Sequence, residues 1–162
     1  HLQGSVGCSH AYGLFNNLEL IGVMTFGKPR FSKCQFEMLR FASKINCNIV
    51  GGGSKLLSHF VKTINPTSII TYSDNRSGDG NFYNKLGFKS SGQTGLGYFY
   101  VSTNGQIISR NQAQKHKLPK WLKAFDISLT EHENMVNAGF SRVWTPGSSR
   151  WIYHTSLDSN LN

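Results

Sequence analysis

A run of three consecutive glycines is the feature that most restricts how this chain can fold. Gly51, Gly52 and Gly53 follow Ile49-Val50 and precede Ser54-Lys55, where an amphipathic helical pattern begins. A glycine turn at a helix start leaves backbone N–H groups without intrahelical partners, and the helix dipole adds positive potential there. Such a turn favours binding of a phosphate or pyrophosphate. The alternative is a tight strand-to-helix turn that binds nothing.

The patterns on either side of this turn predict an α+β fold, an α/β sandwich around a central sheet. Strands are predicted at residues 12–15, 19–26, 36–42, 68–72 and 98–101, and helices at 54–63 and 81–86. Alternation in the third strand predicts that Phe36, Met38 and Phe41 contact the core. Asn16-Asn17 predicts a hairpin turn between the first two strands.

The composition becomes more polar and basic after Ser109. We therefore predict one domain at residues 1–108 and a basic C-terminal extension at 109–162 that packs on the same domain. Thr130 with Glu133 three residues later predicts a capped helix start. Pro146-Gly147 predicts a second hairpin, which would join residues 142–144 to 150–153.

The charge balance favours a polyanionic partner. Seventeen Lys and Arg residues against eight Asp and Glu give a net charge of +9, and no acidic residue lies between Gly80 and Phe125. This excess favours nucleic acid over an anionic membrane. The candidate phosphate contacts are Arg110, Lys115, Lys117, Lys120, Lys123, Arg142 and Arg150. Trp121, Trp144 and Trp151 could stack on unpaired bases; the alternative is a solvated basic face with ordinary tryptophan packing.

Several classes of protein fit the sequence poorly. The three cysteines, Cys8, Cys34 and Cys47, are odd in number and form neither a zinc signature nor a disulfide framework. The histidine spacing matches no ligand set, so no metal is expected. No apolar run approaches the ~20 residues of a membrane span, and no membrane partner is expected. Because the chain begins at His1 and not at Met, we expect a piece of a longer protein.

Three side chains are candidates for chemistry. Tyr83, on the short helix at 81–86, could protonate a leaving group, or it could be a half-buried aromatic. Asp74 follows a buried strand, at the sheet edge where sites gather, and could orient or deprotonate an amine. Arg40 lies within a strand and could bind Asp74 or a phosphate. The structural alternatives are an Asp74–Arg40 salt bridge and an Asx turn at Asp74.

Residues Phe36 to Val101 resemble the core of the GNAT (Gcn-related N-acetyltransferase) family. The family's Arg/Gln-x-x-Gly-x-Gly/Ala loop corresponds to Asn48 through Gly53, with Asn in the first position, and its Tyr-x-x-x-Gly-Phe motif to Tyr83 through Phe88. The resemblance implies a mixed central sheet flanked by helices and an acetyl-CoA or other acyl-CoA-type donor. It also implies a role for Tyr83 in protonating the thiolate leaving group. The residues that would hold the donor are Asn48, Gly51, Gly52, Gly53, Ser54 and Lys55.

A narrower resemblance covers nearly the whole chain. Segments such as His1–Gly4, Met24–Lys28 and Gly51–Leu56 are similar to phage proteins, some of which are homing endonucleases with a nuclease domain ahead of this region. The core also resembles the Mom family of phage DNA-modification enzymes. This resemblance implies DNA as partner, the cytoplasm of a phage-infected bacterium as location, and a nuclease domain in a longer parent chain. His1 matches a histidine of the related phage proteins and could act as a base.

Together these features predict a transferase that moves an acyl or related group from a CoA-type donor to a base or base-linked amine of DNA. Arg40 and Asp74 would organise the acceptor. The first alternative is a non-catalytic DNA-binding domain of a phage homing endonuclease. The second is a small-molecule or protein N-acetyltransferase whose basic surface is incidental.

Overall fold

A computed structural model describes residues 6–155 and contains the following elements in chain order. The strands are β1 His10–Asn16, β2 Glu19–Gly27, β3 Phe36–Ser43, β4 Ser68–Asp74, β5 Lys89–Gln93, β6 Gly97–Ser102, β7 Ile107–Ser109, β8 Phe140–Thr145 and β9 Ser148–His154. The helices are α1 Gly52–Ile64, α2 Asn81–Lys85 and α3 Glu131–Asn137, with a 3-10 helix at Lys115–Lys120. No helix of residues 6–155 is long and apolar enough to cross a membrane.

The chain forms two compact units. The first contains the described residues up to Gln93 and again from Ser149, and the second contains Thr94–Ser148. These boundaries differ from the predicted division at residue 108, because β6 pairs with β7 and β8 whereas β9 belongs to the sheet of the first unit.

The first unit is built on a six-stranded sheet in the order β1-β2-β3-β4-β9-β5. The pairs β1–β2, β2–β3 and β5–β9 are antiparallel and β3–β4 is parallel, so the sheet is mixed. The predicted α+β class with a mixed, helix-flanked sheet is confirmed. The first hairpin is also confirmed, although Asn17 and Leu18 adopt the positive φ angles of its two-residue turn, one position later than predicted.

Helix α1 packs its apolar face on this sheet. Leu56, Leu57 and Phe60 are buried, and the Phe60 ring stacks on Phe26 with centroids 3.6 Å apart. The predicted core contacts of β3 are confirmed, since Met38 is buried and Phe36 and Phe41 pack against the same cluster.

The second unit is a three-stranded sheet in the order β7-β6-β8, covered on one face by α3 and the 3-10 helix. Its core is formed by Tyr100, Ile108, Ala113, Leu118, Leu122, Met135 and Phe140. The predicted helix start is confirmed: the Thr130 hydroxyl accepts from the Glu133 N–H, and the Glu133 carboxylate accepts from the Thr130 N–H.

The predicted hairpin around Pro146-Gly147 is wrong. Strand β8 pairs with β6, whereas β9 lies between β4 and β5 in the other sheet. A central strand satisfies backbone donors and acceptors along both of its edges, whereas an isolated hairpin would leave one edge unpaired. Strand β9 also buries Trp151, whose indole Nε1 donates to the Ser73 hydroxyl at 2.9 Å.

Gly80 controls how α2 begins beside this tryptophan. It has a φ of 76°, and a Cβ added there would lie 2.3 Å from Cζ2 of Trp151. We predict that Gly80→Ala lowers the free energy of unfolding by about 2–5 kcal/mol, from left-handed strain plus overpacking against a fixed ring.

Gly51→Ala is the matched control, because Gly51 has a φ of 71° and a Cβ added there would meet nothing within 4 Å. It should cost only the strain, about 1–2 kcal/mol. Urea unfolding measures both variants. Equal losses would show that Trp151 moves aside freely and that Gly80 is needed only for its backbone angle.

Candidate active site

A cavity opens where strands β3 and β4 separate. The two strands pair only through Phe36 with Ile69 and Glu37 with Ile70. Beyond these pairs, a cavity of about 600 Å³ is lined by residues 39–41 of β3, 72–74 of β4 and the segment 76–83. The carboxyl ends of neighbouring parallel strands are a common place for binding sites.

Three of the predicted catalytic residues line this one cavity. Arg40 comes from β3, Asp74 from the end of β4, and Tyr83 from α2. The fold brings Arg40 to the other two, since it lies more than thirty positions before them in the chain. His1, the fourth predicted residue, lies outside the described residues. The chemical roles of all four stay predictions.

Arg40 and Arg76 both line the cavity, and of the two only Arg40 has no carboxylate partner among the described residues. Its Nη1 donates to the Leu39 carbonyl oxygen at 2.7 Å, while its buried Nε makes no hydrogen bond with any described residue. Thr25, its direct cross-strand neighbour, also has a buried hydroxyl oxygen without a partner among those residues. An unsatisfied buried polar group carries a desolvation penalty. Both atoms are closed off from solvent, so a ligand in the cavity would meet the Arg40 charge and not these two atoms.

Asp74 does not pair with Arg40. Its carboxylate instead binds Arg76, with 2.6 Å between Oδ2 and Nη2, and it accepts the Arg76 backbone N–H at 2.9 Å. The Asx-turn alternative is therefore correct, and the Asp74–Arg40 salt bridge is wrong. A carboxylate can reach its own backbone two residues ahead without any long-range packing.

The arginine partner also sets the protonation state of Asp74. The hydrogen bonds from Arg76 hold the pKa of the Asp74 carboxyl below its usual value of 3.8, against a smaller opposing effect of burial. Asp74 is thus ionised near neutral pH. A carboxylate with a lowered pKa is better suited to orienting an amine than to taking its proton.

Tyr83 is held as a protonated phenol. Burial raises its pKa above 10.0, and a hydrogen bond with Thr71 and the charge of Arg40 oppose this shift only in part. Its ring packs against Trp151 at a centroid distance of 6.1 Å, with Phe82 and Phe88 at its edges. A fixed, protonated phenol is what a proton donor to a leaving group requires.

The triple-glycine turn starts α1 without any side-chain cap. Gly51 is the N-cap in the left-handed region, with open space around it, and Ser54 and Lys55 are exposed. The first helical bond runs from the Lys55 N–H to the Gly51 carbonyl oxygen. The backbone N–H groups before Lys55 therefore have no acceptor within the helix. Among them, the Gly52 N–H donates to the carbonyl oxygen of Ile49, which precedes the helix.

The other two glycines are also required by packing. A Cβ on Gly52 would lie 2.7 Å from the Ile49 side chain, and a Cβ on Gly53 would lie 2.9 Å from the Phe82 ring. The tight-turn interpretation thus explains Gly52 and Gly53 without a ligand. Phosphate binding by this turn stays a prediction.

The turn and the cavity are separated by one aromatic contact. Phe82 touches Gly53 and stacks on Phe41 with ring centroids 5.1 Å apart, and both phenylalanines line the cavity. None of Asn48, Gly51, Gly52, Gly53, Ser54 and Lys55 lines it. The structure therefore unites the predicted acceptor residues and Tyr83 but does not add the predicted donor-binding residues to the same cavity.

The basic residues divide between the two units. Arg110, Lys115, Lys117, Lys120, Lys123 and Arg142 lie in the second unit, and Arg150 lies on β9 of the first. Trp151 is only 9% exposed and packs in the core, so it cannot stack on a base. The hairpin that would have joined Trp151 to Trp144 does not form.

Sequence reasoning missed two residues of the cavity. Arg76 neutralises Asp74, and Phe82 closes the side of the cavity next to α1. The Asp74-Asn75-Arg76 spacing could have indicated the first, since a cation two residues after an Asx-turn aspartate can reach its carboxylate. Nothing local indicates the second. Within residues 6–155, no three His, Cys, Asp or Glu side chains are placed to hold a metal ion together.

The chain shows similarity to known proteins at the level of structure. No protein-family profile matches the sequence, and no curated protein matches it. Among solved structures, the chain is similar to a Bacillus subtilis acetyltransferase determined in complex with CoA. The identity is 16%, the TM-score is 0.48, and the match covers 90% of this chain and 76% of the other. A likeness of this degree assigns neither activity, cofactor nor residue role to the chain.

The state of Tyr83 can be tested through the pH dependence of stability. Because its folded pKa lies above 10.0, the unfolded state loses the phenolic proton first. We predict that the contribution of Tyr83 to the free energy of unfolding is fully present below pH 10.0. It is lost as the pH rises from there through the folded pKa.

Tyr83→Phe should remove this contribution, so its stability should fall less than that of the wild type over the same alkaline range. Chemical unfolding at a series of pH values measures the difference, and the tyrosinate absorbance of the two proteins reports the ionisation directly. Superimposable pH profiles would mean that the phenol is not buried in solution.

Proposed function

We propose that this chain is a group-transfer enzyme that moves an acyl group from a CoA-type donor to an amine of a nucleic acid. The observation that carries the proposal is the convergence of Arg40, Asp74 and Tyr83 on one cavity at the carboxyl ends of β3 and β4. The phage context and DNA as the particular acceptor belong to this proposal.

Two opposite charges line the acceptor side of the cavity, and only the negative one is already paired. Arg40 carries a permanent positive charge and makes no ion pair with any described residue, which suits a phosphate or carbonyl oxygen of the acceptor. Asp74 is ionised and paired with Arg76, so it can accept a hydrogen bond from the amine without becoming protonated. The amine would thus be held with its lone pair free.

The transfer requires one proton at the departing group. The amine nitrogen bonds to the acyl carbon, the carbon–sulfur bond breaks, and Tyr83 gives its proton to the sulfur. The nitrogen loses its extra proton to water, and the phenolate regains one from solvent, so the products are an amide and a thiol. The raised pKa of Tyr83 keeps the phenol protonated before the step.

The donor would be bound at the start of α1. An acyl-CoA supplies a pyrophosphate, and the uncapped turn at Gly51 with exposed Ser54 and Lys55 offers amides and a cation to it. The space around Gly51 is open, which fits close approach of a phosphate to the backbone. The acyl end would have to pass Phe82 to reach Tyr83.

One observation favours a second candidate function. Phe82 packs on Gly53 and Phe41, and so stands between the turn and the cavity. A chain whose donor turn serves only for packing would be a non-catalytic nucleic-acid-binding domain. The net charge of +9 supports a nucleic-acid partner under both candidates.

Donor binding can be tested by thermal unfolding with acetyl-CoA. We predict a concentration-dependent rise in melting temperature, because a ligand at 100 times its Kd adds about 2.7 kcal/mol to the stability of the folded state. Lys55→Ala should weaken the effect, since it removes the cation beside the turn. Lys33→Ala, at an exposed position between β2 and β3, is the control and should behave as wild type. No rise at millimolar acetyl-CoA would favour the non-catalytic candidate.

Transfer itself can be measured by mass spectrometry of nucleosides from DNA incubated with the protein and acetyl-CoA. We predict that Tyr83→Phe lowers the rate by about 10²- to 10⁴-fold, because it removes the proton donor. Tyr72→Phe removes a second phenol that lines the same cavity and should retain the rate. Loss of activity in the Tyr72 variant alone would move the proton donor to that residue.

A further inference from the structure

An arginine–aromatic platform lies at the uncovered end of the sheet in the second unit. It consists of Tyr98, Arg110, Arg142 and Trp144. Tyr98 is directly opposite Trp144, and alternation along β8 puts Phe140, Arg142 and Trp144 on the same face. At one end of this face Phe140 is buried in the core, whereas at the other end Trp144 is 54% exposed.

The planar groups of the platform are held in contact with one another. The Arg142 guanidinium lies 4.7 Å from the centroid of the Trp144 ring and 5.5 Å from that of Tyr98. The Arg110 guanidinium lies 5.0 Å from the centroid of the Tyr98 ring. Tyr98 and Trp144 meet edge to face at 5.3 Å. Preorganised groups lose little conformational freedom when a ligand binds.

A hydrogen bond to α3 fixes the position of Tyr98. The Tyr98 hydroxyl donates to Oε1 of Glu131 at 2.8 Å, and the buried Tyr100 hydroxyl donates to the same oxygen at 3.3 Å. Glu131 is at the first position of α3, where a carboxylate is favoured by the helix dipole. The carboxylate therefore anchors the tyrosines through their hydroxyl groups.

The two arginines of the platform are not neutralised by ion pairs. Among residues 6–155, no carboxylate lies within salt-bridge distance of Arg110 or Arg142. Both guanidinium groups lie instead against the rings of Tyr98 and Trp144. The surface thus combines an exposed indole with two cations that form no salt bridge in the described part of the chain.

We propose that this platform binds unpaired bases of single-stranded nucleic acid. An unpaired base would stack on Trp144, and Arg110 and Arg142 would contact the phosphates that flank it. A duplex hides its base faces, and an acidic peptide would use the charges but not the indole. The inference deepens the nucleic-acid part of the proposed function and is independent of the transfer step.

Fluorescence anisotropy with a labelled single-stranded oligonucleotide tests the stacking. Trp144→Ala should weaken binding roughly 5- to 150-fold, which corresponds to the ~1–3 kcal/mol of one stacked base. Val143→Ala is the matched control, because Val143 lies on the opposite face of the same strand and is 40% exposed. It should bind as wild type. Equal affinity of the Trp144 variant and wild type would overturn the proposal.

An oligonucleotide of abasic sites separates stacking from charge, because it keeps the phosphates and lacks the bases. Wild type should bind it about as weakly as Trp144→Ala binds the normal strand, and Trp144→Ala should lose nothing further. Arg142→Lys keeps the charge but loses the planar group, and should also bind the normal strand less tightly. Equal affinity of wild type for the abasic and normal strands, or tighter binding of duplex DNA, would contradict stacking.

The same measurement with RNA of matching sequence identifies the preferred sugar, and tight binding of either single strand supports the platform. Circular dichroism and the melting temperature of Trp144→Ala verify that the variant is folded. Acetyl-CoA is absent from these titrations. Failure of the donor-binding test would thus leave the stacking result standing, and loss of stacking would leave the donor test unaffected.

Discussion

The early separation of β3 and β4 is the constraint on which the candidate site depends. After two residue pairs the strands diverge, and the Thr71 hydroxyl donates to the Met38 carbonyl oxygen at 3.0 Å across the widening gap. A side chain thus satisfies a backbone acceptor that a continued ladder would have paired. Arg40 and Asp74 follow these two residues and border the cavity, so the divergence that removes backbone pairing also creates the space for a ligand.

Strand β9 supports the site from a distant part of the sequence. Its Trp151 donates to Ser73 of β4, packs on Tyr83 of α2, and lies against the backbone of Gly80. One buried indole therefore links the strand that carries Asp74 to the helix that carries Tyr83. Because interiors are close-packed, a shift of this ring would be transmitted to both.

The features that sequence reasoning found depend on residues close in the chain. The first hairpin, the amphipathic face of α1 and the Thr130–Glu133 capping box are each specified within a few positions.

The predictions that were wrong or missing concern contacts between residues distant in the chain. Residues around Pro146-Gly147 fit a hairpin locally, but β9 pairs inside another sheet. Glu37 is 2% exposed and paired with Arg30 from an irregular segment, which no periodicity reveals. Of the site, the three converging side chains were predicted, whereas the Arg76 partner and the Phe82 contact were not.

The distribution of free donors and acceptors in the cavity indicates the chemistry that it can complement. Its carboxylate Asp74 already receives hydrogen bonds from Arg76, whereas the guanidinium of Arg40 forms no salt bridge with any described residue. A ligand rich in acceptor oxygens would complement the positive charge of Arg40, and a bare amine would not. Phosphates and carbonyl groups are such ligands, and a nucleotide carries both. An acceptor amine attached to a nucleotide is therefore a better match for this cavity than an isolated amine, because its phosphate or base carbonyl can bind Arg40 while its nitrogen lies against Asp74.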